Sequence, residues 1–427
     1  MATVAVYETR ETALRRLAVA SLSGPGVGAV LLALMLFVTH ANFREGDTER
    51  ATLDWQIVLR LATCGACGLY GLAHLRATAG VLCRFPGAWC VLFAAWGTLT
   101  VPLAMDPTYA MAAAAALWCG LLLVPAVLGQ LGGRKVVIVL LATITTYVVI
   151  SWGVYLWLPS VGRTAFTYDE VVYRMGGLGH PNDLGGLAAL GIALLFILRF
   201  ADAIRWRSLL VLMALFVITL IYAESRTSMV AAAGAAAVCL WRARPPVPLI
   251  AGCALAVLLV AGLAWSVEDR EALASLTRSG EESELYDLTG RTYVWEFVAG
   301  KIEQAPLVGY GYNCARFVMV EFNRNRGDFS AVFHPHNLLL NVLLGMGVPG
   351  GFLLLGMIAG QVVEFFKHPS ILPDITLGIV LIGGLCEVVI FFPFPGACTL
   401  LWLTAVFWRP MGASLEQDSG PLATETI

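Results

Sequence analysis

Long apolar runs separated by short polar segments constrain this chain more than any other feature. A helix that crosses a bilayer needs roughly 20 mostly apolar residues. The 427-residue sequence offers twelve such runs, at about 20–40, 55–73, 87–105, 109–130, 135–158, 182–199, 207–223, 227–241, 247–266, 337–363, 374–392 and 394–409. Charged residues make up 13% of the chain, against roughly 25% in a soluble domain. A solvent that is mostly lipid accounts for the deficit. The expected fold class is therefore all-α: a polytopic membrane helical bundle of about 12 transmembrane helices with one long loop. A net charge of −2 gives no reason to expect a nucleic-acid partner.

The first run follows Arg10, Arg15 and Arg16, as a signal peptide would, but it is long and shows no clear small-residue cleavage site. It reads as a retained first helix. Short segments holding those arginines, Arg76, Arg84, Arg134, Lys135, Arg199, Arg205, Arg207, Arg242, Arg244, Lys367 and Arg409 alternate with segments poorer in positive charge. The positive-inside rule makes the first set cytoplasmic. Both termini then lie inside, and the long polar segment lies outside. The expected organisation is helices 1–9 in residues 1–266, the outer loop in 267–335, helices 10–12 in 336–409 and a cytoplasmic tail in 410–427.

Most of the ten cysteines sit within apolar runs, Cys64 and Cys67 among them, and read as small packing residues. Cys314 alone stands in the long loop, which therefore closes no internal disulfide.

Polar residues that topology does not require are the informative ones in such a chain. Four clusters of them fall on the expected outer side. They are Gly179-His180-Pro181-Asn182-Asp183; Glu224-Ser225-Arg226-Thr227-Ser228; Gly290-Arg291-Thr292-Tyr293-Val294-Trp295; and His334-Pro335-His336-Asn337. Three of them open an apolar run. A helix N-terminus presents unpaired N–H groups and the positive end of the dipole, which suits an anion, and Pro181 and Pro335 are expected in a first helical turn. Arg226 and Arg291 add planar donor forks that match phosphate. The set reads as a site for a phosphorylated substrate, with His336 as its base. A helix start and nearby arginines disfavour a protonated imidazole, so His336 is expected to be neutral.

Plainer readings stand beside these. His180 and His334 could simply cap helices, Arg226 could face lipid headgroups, and Asp183 and Glu224 could be caps or arginine partners. His334 and His336 form an i, i+2 pair with no third metal ligand evident nearby. Glu387 lies inside an apolar run with no partner to name. Residues 291–304 carry apolar positions at helical spacing, fitting either an amphipathic helix on the membrane surface or one packed within the loop.

The runs G-R-T-Y-V-W, P-L-V-G-Y-G-Y-N, H-P-H-N-L-L-L-N and G-M-G-V-P-G-G, with S-R-T-S at 225–228 and G-H-P-N-D at 179–183, resemble the O-antigen ligase and O-antigen polymerase superfamily. The resemblance implies a bacterial membrane glycosyltransferase of the GT-C type in the inner membrane. Its long loop would be periplasmic, its donor an undecaprenyl-pyrophosphate-linked glycan, and its acceptor a lipid A-core sugar or another glycan. By the same resemblance His336 is the catalytic residue, Arg226 and Arg291 bind the pyrophosphate, and no metal or other cofactor is used. Asn337, His334, Asn182 and Tyr293 are candidate substrate contacts. Pyrophosphate leaves readily, so the enzyme must stabilise its charge and align the acceptor hydroxyl, and direct displacement would invert the anomeric centre. Repeat-unit polymerisation, protein O-glycosylation and polysaccharide transport are the alternatives. Transport is the least consistent with polar residues gathered at helix ends rather than at the bilayer midplane.

Overall fold

The computed structural model describes residues 24–42, 54–167, 171–242, 291–326, 332–413 and 415. The run at 247–266, the loop up to residue 290 and most of the tail lie outside the described residues.

The apolar runs become helices. Those long and apolar enough to cross a membrane alone are α2 (Trp55–Ala73), α5 (Pro107–Leu131), α6 (Gly133–Trp157), α7 (Pro181–Phe200), α8 (Trp206–Ala223) and α12 (Leu338–Lys367). A seventh candidate is a broken pair in which α3 (Leu75–Leu82) meets α4 and its 3₁₀ extension (Gly87–Leu103) at 98°. The apolar helices α1 (Pro25–His40), α13 (Ile371–Cys386) and α14 (Ala397–Trp408) are shorter, as is the alanine-rich α9 (Arg226–Arg242). Length alone thus gives six or seven spans among the described residues. Large exposed side chains such as Leu69, Leu210, Val211, Phe352 and Leu385 lie on these helices, as expected where lipid is the solvent. The helix starts are locally encoded. Asp54 accepts from the Ile57 N–H at 2.9 Å, and Asp106 does the same for Tyr109, each satisfying an N–H that the first turn leaves open.

The composition did not signal a small hairpin between α6 and α7. Its strands, β1 (Arg163–Thr167) and β2 (Val171–Met175), pair antiparallel with Arg163 opposite Met175. Cys64 and Cys67 are buried and free, in keeping with a packing role.

The loop helix α10 (Arg291–Gln304) buries Val294 and Val298 against Ala315, Val318, Met319 and Phe322 of α11 (Ala315–Arg326) and Leu344 of α12. The apolar face of α10 thus packs within the loop's own fold and onto α12.

The turn that follows α10 enters a break in α12. Gly347, at φ 65°, interrupts the helix two residues before Pro349. A Cβ there would lie 2.4 Å from the Leu307 carbonyl, so the close approach requires glycine. Val348 N–H donates to Pro306 O at 2.7 Å, while Tyr310 and Gly311 N–H donate to Leu344 O and Gly345 O at 2.9 Å each. The indole of Trp96 takes Met346 O at 2.9 Å. A broken helix at membrane depth is tolerable when neighbours take up the freed backbone groups in this way.

At the far end of the bundle, Arg242 of α9 pairs with Asp374 of α13 at 2.7 Å. It also donates to Phe365 O of α12. These bonds tie together three of the helices that carry the candidate site at their opposite ends.

Candidate functional site

Glu387 is the junction of the site. Helix α13 stops at Cys386, and Glu387 follows in extended conformation (φ −151°), outside the helix in which the sequence had placed it. The Glu387 Oε2 atom lies 3.0 Å from Nδ1 of His336. Oε1 accepts from Nη2 of Arg291 at 3.1 Å and from Nδ2 of Asn182 at 3.3 Å. Arg291 also donates through Nη1 to the Cys386 carbonyl. One carboxylate therefore joins α7, α10, the approach to α12 and the end of α13.

Burial alone would raise the pKa of Glu387. The hydrogen bond from His336 and the charges of His336 and Arg291 outweigh burial and hold the group well below the usual carboxylate range. An ionised carboxylate can only accept. Nδ1 of His336 is therefore the donor in this contact, and Nε2 is the ring nitrogen that Glu387 leaves unengaged. The charge environment of His336 thus includes an anion that the sequence argument did not count.

His336 itself is not helical. Its φ is 51°, and α12 is capped by the next residue, Asn337, whose Oδ1 accepts from Leu340 N–H at 3.0 Å. Pro335 therefore lies ahead of the cap rather than in the first turn. The left-handed conformation of His336 forbids a helix there, and Asn337 is the better cap. The Pro335 carbonyl accepts from the Trp295 indole at 2.8 Å, and the His336 N–H donates to His334 Nδ1 at 3.3 Å.

Arg226 begins α9, just after a turn that Arg174 holds. That side chain, 1% exposed, donates through Nε and Nη2 to Ala223 O at 3.0 and 2.6 Å. Through Nη2 it also reaches Glu224 O at 3.2 Å and Asn182 Oδ1 at 2.9 Å. Arg174 thus holds the left-handed turn at Glu224 (φ 48°) that leads into Arg226, and orients the asparagine that reaches Glu387. Ser225 and Ser228 hydroxyls bond each other at 2.7 Å, facing Gly185 of α7, where a Cβ would stand 2.6 Å from Ser225 Cβ.

The remaining candidates divide by what occupies them. Asn182 bridges Arg174 and Glu387 with both ends of its amide. Asn337 caps α12 and gives its Nδ2 to Leu385 O at 3.0 Å. His334 stacks against His336 with ring centroids 4.2 Å apart, and its pKa is pushed down to about 3 by burial and by the charges of His336, His180 and Arg291. His180 caps α7 through Nδ1. Tyr293 is 55% exposed. Asp183 is exposed in the first turn of α7, where its charge complements the helix dipole.

The sequence by itself assigns no role to Arg174 or Trp295 and no partner to Glu387. A lone carboxylate in an apolar run was the one signal available.

Glu387 also supplies the third metal ligand that the sequence lacked: one ligand atom each of His334, His336 and Glu387 lie within 4.8 Å of one another. Those groups are largely committed. His336 Nδ1 faces Glu387, Glu387 Oε1 faces Arg291, and His334 Nδ1 faces the His336 N–H. A cation held there would replace these bonds beside a guanidinium that repels it.

Comparison with known proteins bears on this region. A family model described as O-antigen ligase matches residues 209–355, a stretch that contains Arg226, Arg291 and His336. Proteins of Rickettsia felis and Rickettsia conorii, each named "Putative polysaccharide ligase", are 33% identical over 73 residues and 31% over 74. The matched stretch covers 16% of this chain and 18% of each relative. The stretch that carries Arg226, Arg291 and His336 is thus similar to the O-antigen ligase family.

Proposed function

We propose that this protein is an O-antigen ligase-like glycosyltransferase. It transfers a glycan from an undecaprenyl-pyrophosphate donor to a hydroxyl of an acceptor sugar at the periplasmic face of the bacterial inner membrane. The observation that carries the reading is the shared carboxylate: Glu387 binds His336 on one oxygen and Arg291 on the other. A base and an anion-binding fork are thereby held within one hydrogen-bonded group.

In this reading Arg226 and Arg291 stabilise negative charge that grows on the leaving pyrophosphate. Nε2 of His336 accepts the proton of the acceptor hydroxyl as that oxygen attacks the anomeric carbon and the carbon–oxygen bond to pyrophosphate breaks. Glu387 keeps the imidazole in the tautomer that can do so. Such base catalysis is worth on the order of 10²–10⁴-fold. Attack opposite the leaving group inverts the anomeric centre. The donor's negative charge belongs to the substrate, so the protein's own residues account for every proton in this scheme without a metal. The exposed ring of Tyr293 is suited to stack on a sugar face.

The test is transfer in vitro from a defined undecaprenyl-pyrophosphate glycan to lipid A-core, repeat-unit and peptide acceptors. His336→Ala is expected to abolish transfer while leaving expression and membrane insertion intact. Normal transfer by that variant would remove His336 as the base. Labelling of residues 291–304 from outside intact cells checks the orientation: no reaction there would put the site on the wrong face.

A further inference from the structure

We propose that Trp295 and His334 are positioning residues for His336, fixing the peptide bond from which its imidazole projects; the inference rests on the transfer reading above. The geometry concerns both polar atoms of the Pro335–His336 peptide. Its carbonyl accepts from Nε1 of Trp295 at 2.8 Å. Its N–H donates to Nδ1 of His334 at 3.3 Å. A peptide is planar, so two side chains gripping its opposite edges set the orientation of the whole unit. The next torsion is φ of His336, at 51°, a conformation that non-glycine residues adopt only when their surroundings impose it. Beyond it, Glu387 fixes the ring through Nδ1. The base is thereby held at each successive joint from peptide to ring.

Helix α10 coordinates two of these restraints. Arg291 and Trp295 are four residues apart in it, hence on one face. The first holds Glu387 and the second holds the His336 backbone. A rigid helix anchored by Val294 and Val298 thus sets the carboxylate and the imidazole against each other. His334, tucked beneath with its ring against His336, acts on the base rather than on substrate.

Three variants separate these roles from mere stability. Trp295→Phe keeps a smaller aromatic ring and loses the donor. His334→Leu loses the acceptor. His334→Asn places its Oδ1 where Nδ1 stood and can still accept from the His336 N–H. Trp295→Phe and His334→Leu are expected to lower kcat about tenfold, the scale of one lost hydrogen bond, with the KM for the lipid-linked donor unchanged. His334→Asn is expected to recover most of the loss. Diethyl pyrocarbonate modification of His336, followed by mass spectrometry, gives a second readout that needs no turnover. Its rate should change in the first two variants and return toward the wild-type value in the third. Wild-type kcat and wild-type modification in Trp295→Phe would overturn the proposal. So would a His334→Asn protein as slow as His334→Leu, or a loss of kcat that disappears when rates are scaled to folded protein. A wild-type protein that modifies as expected yet transfers no glycan would instead sink the transfer reading alone.

Discussion

Oε2 of Glu387 and Nδ1 of His336 stand 3.0 Å apart across 51 residues of sequence. No local pattern joins them. The contact exists because α13 ends, and the approach to α12 begins, at the same end of the bundle. The pair orients an imidazole with its second nitrogen available, and it makes the carboxylate's charge a direct target for mutation.

Glu387→Gln keeps size and removes charge. The amide can present either N–H or C=O to His336, so the tautomer is no longer dictated. Transfer should fall by on the order of 10²-fold or more, with membrane insertion unchanged. A variant that keeps half the wild-type turnover would show that the contact is idle.

Arg291→Lys conserves charge but not geometry. A single ammonium cannot replace a planar fork that meets both Glu387 and the Cys386 carbonyl while leaving N–H groups for phosphate. Most activity should be lost, with the donor KM raised. Unimpaired turnover in the lysine form would argue against a planar fork as the pyrophosphate ligand.

Arg174→Met tests the buried guanidinium. Its removal strips donors from the carbonyls of Ala223 and Glu224 and from Asn182, each buried acceptor costing roughly 1–3 kcal/mol when left unmet. The melting temperature in detergent should drop and turnover should fall with it, because both Arg226 and Asn182 lose their support. A stable, fully active methionine variant would mean that the turn at Glu224 holds itself.

His334 predicts how stability responds to acid. Its folded pKa, near 3, lies below the unfolded value near 6.5. Between those values the unfolded chain binds more protons, so stability rises with pH across that window and declines as pH falls. Melting curves from pH 7 to 5 should show this slope in the wild type and a shallower one in His334→Asn. Identical slopes would remove His334 as its source.

Metal removal bears on the two histidines and Glu387 together. Treatment with EDTA should leave transfer unchanged, because arginines supply the positive charge in the proposed mechanism. Loss of activity that zinc restores would assign His334, His336 and Glu387 as ligands instead.

Hydropathy by itself determined the all-α membrane architecture and the position of nearly every described helix. The bilayer imposes a length and an apolar composition on each span regardless of its neighbours, so the information is local. Arg226, Arg291 and His336 stood out as candidates for a related reason: in a chain with few charges, polar residues gathered at helix ends are conspicuous. Tertiary structure alone decided that Arg291 and His336 meet on Glu387. Glu387 takes its partners from 51, 96 and 205 residues away. Arg174 reads as an ordinary loop cation until its burial is seen. The turn at 306–311 and the break at Gly347 satisfy each other's backbone groups, though neither segment encodes the other. Such contacts follow from which helix ends the packing brings together, and one-dimensional periodicity does not carry that information.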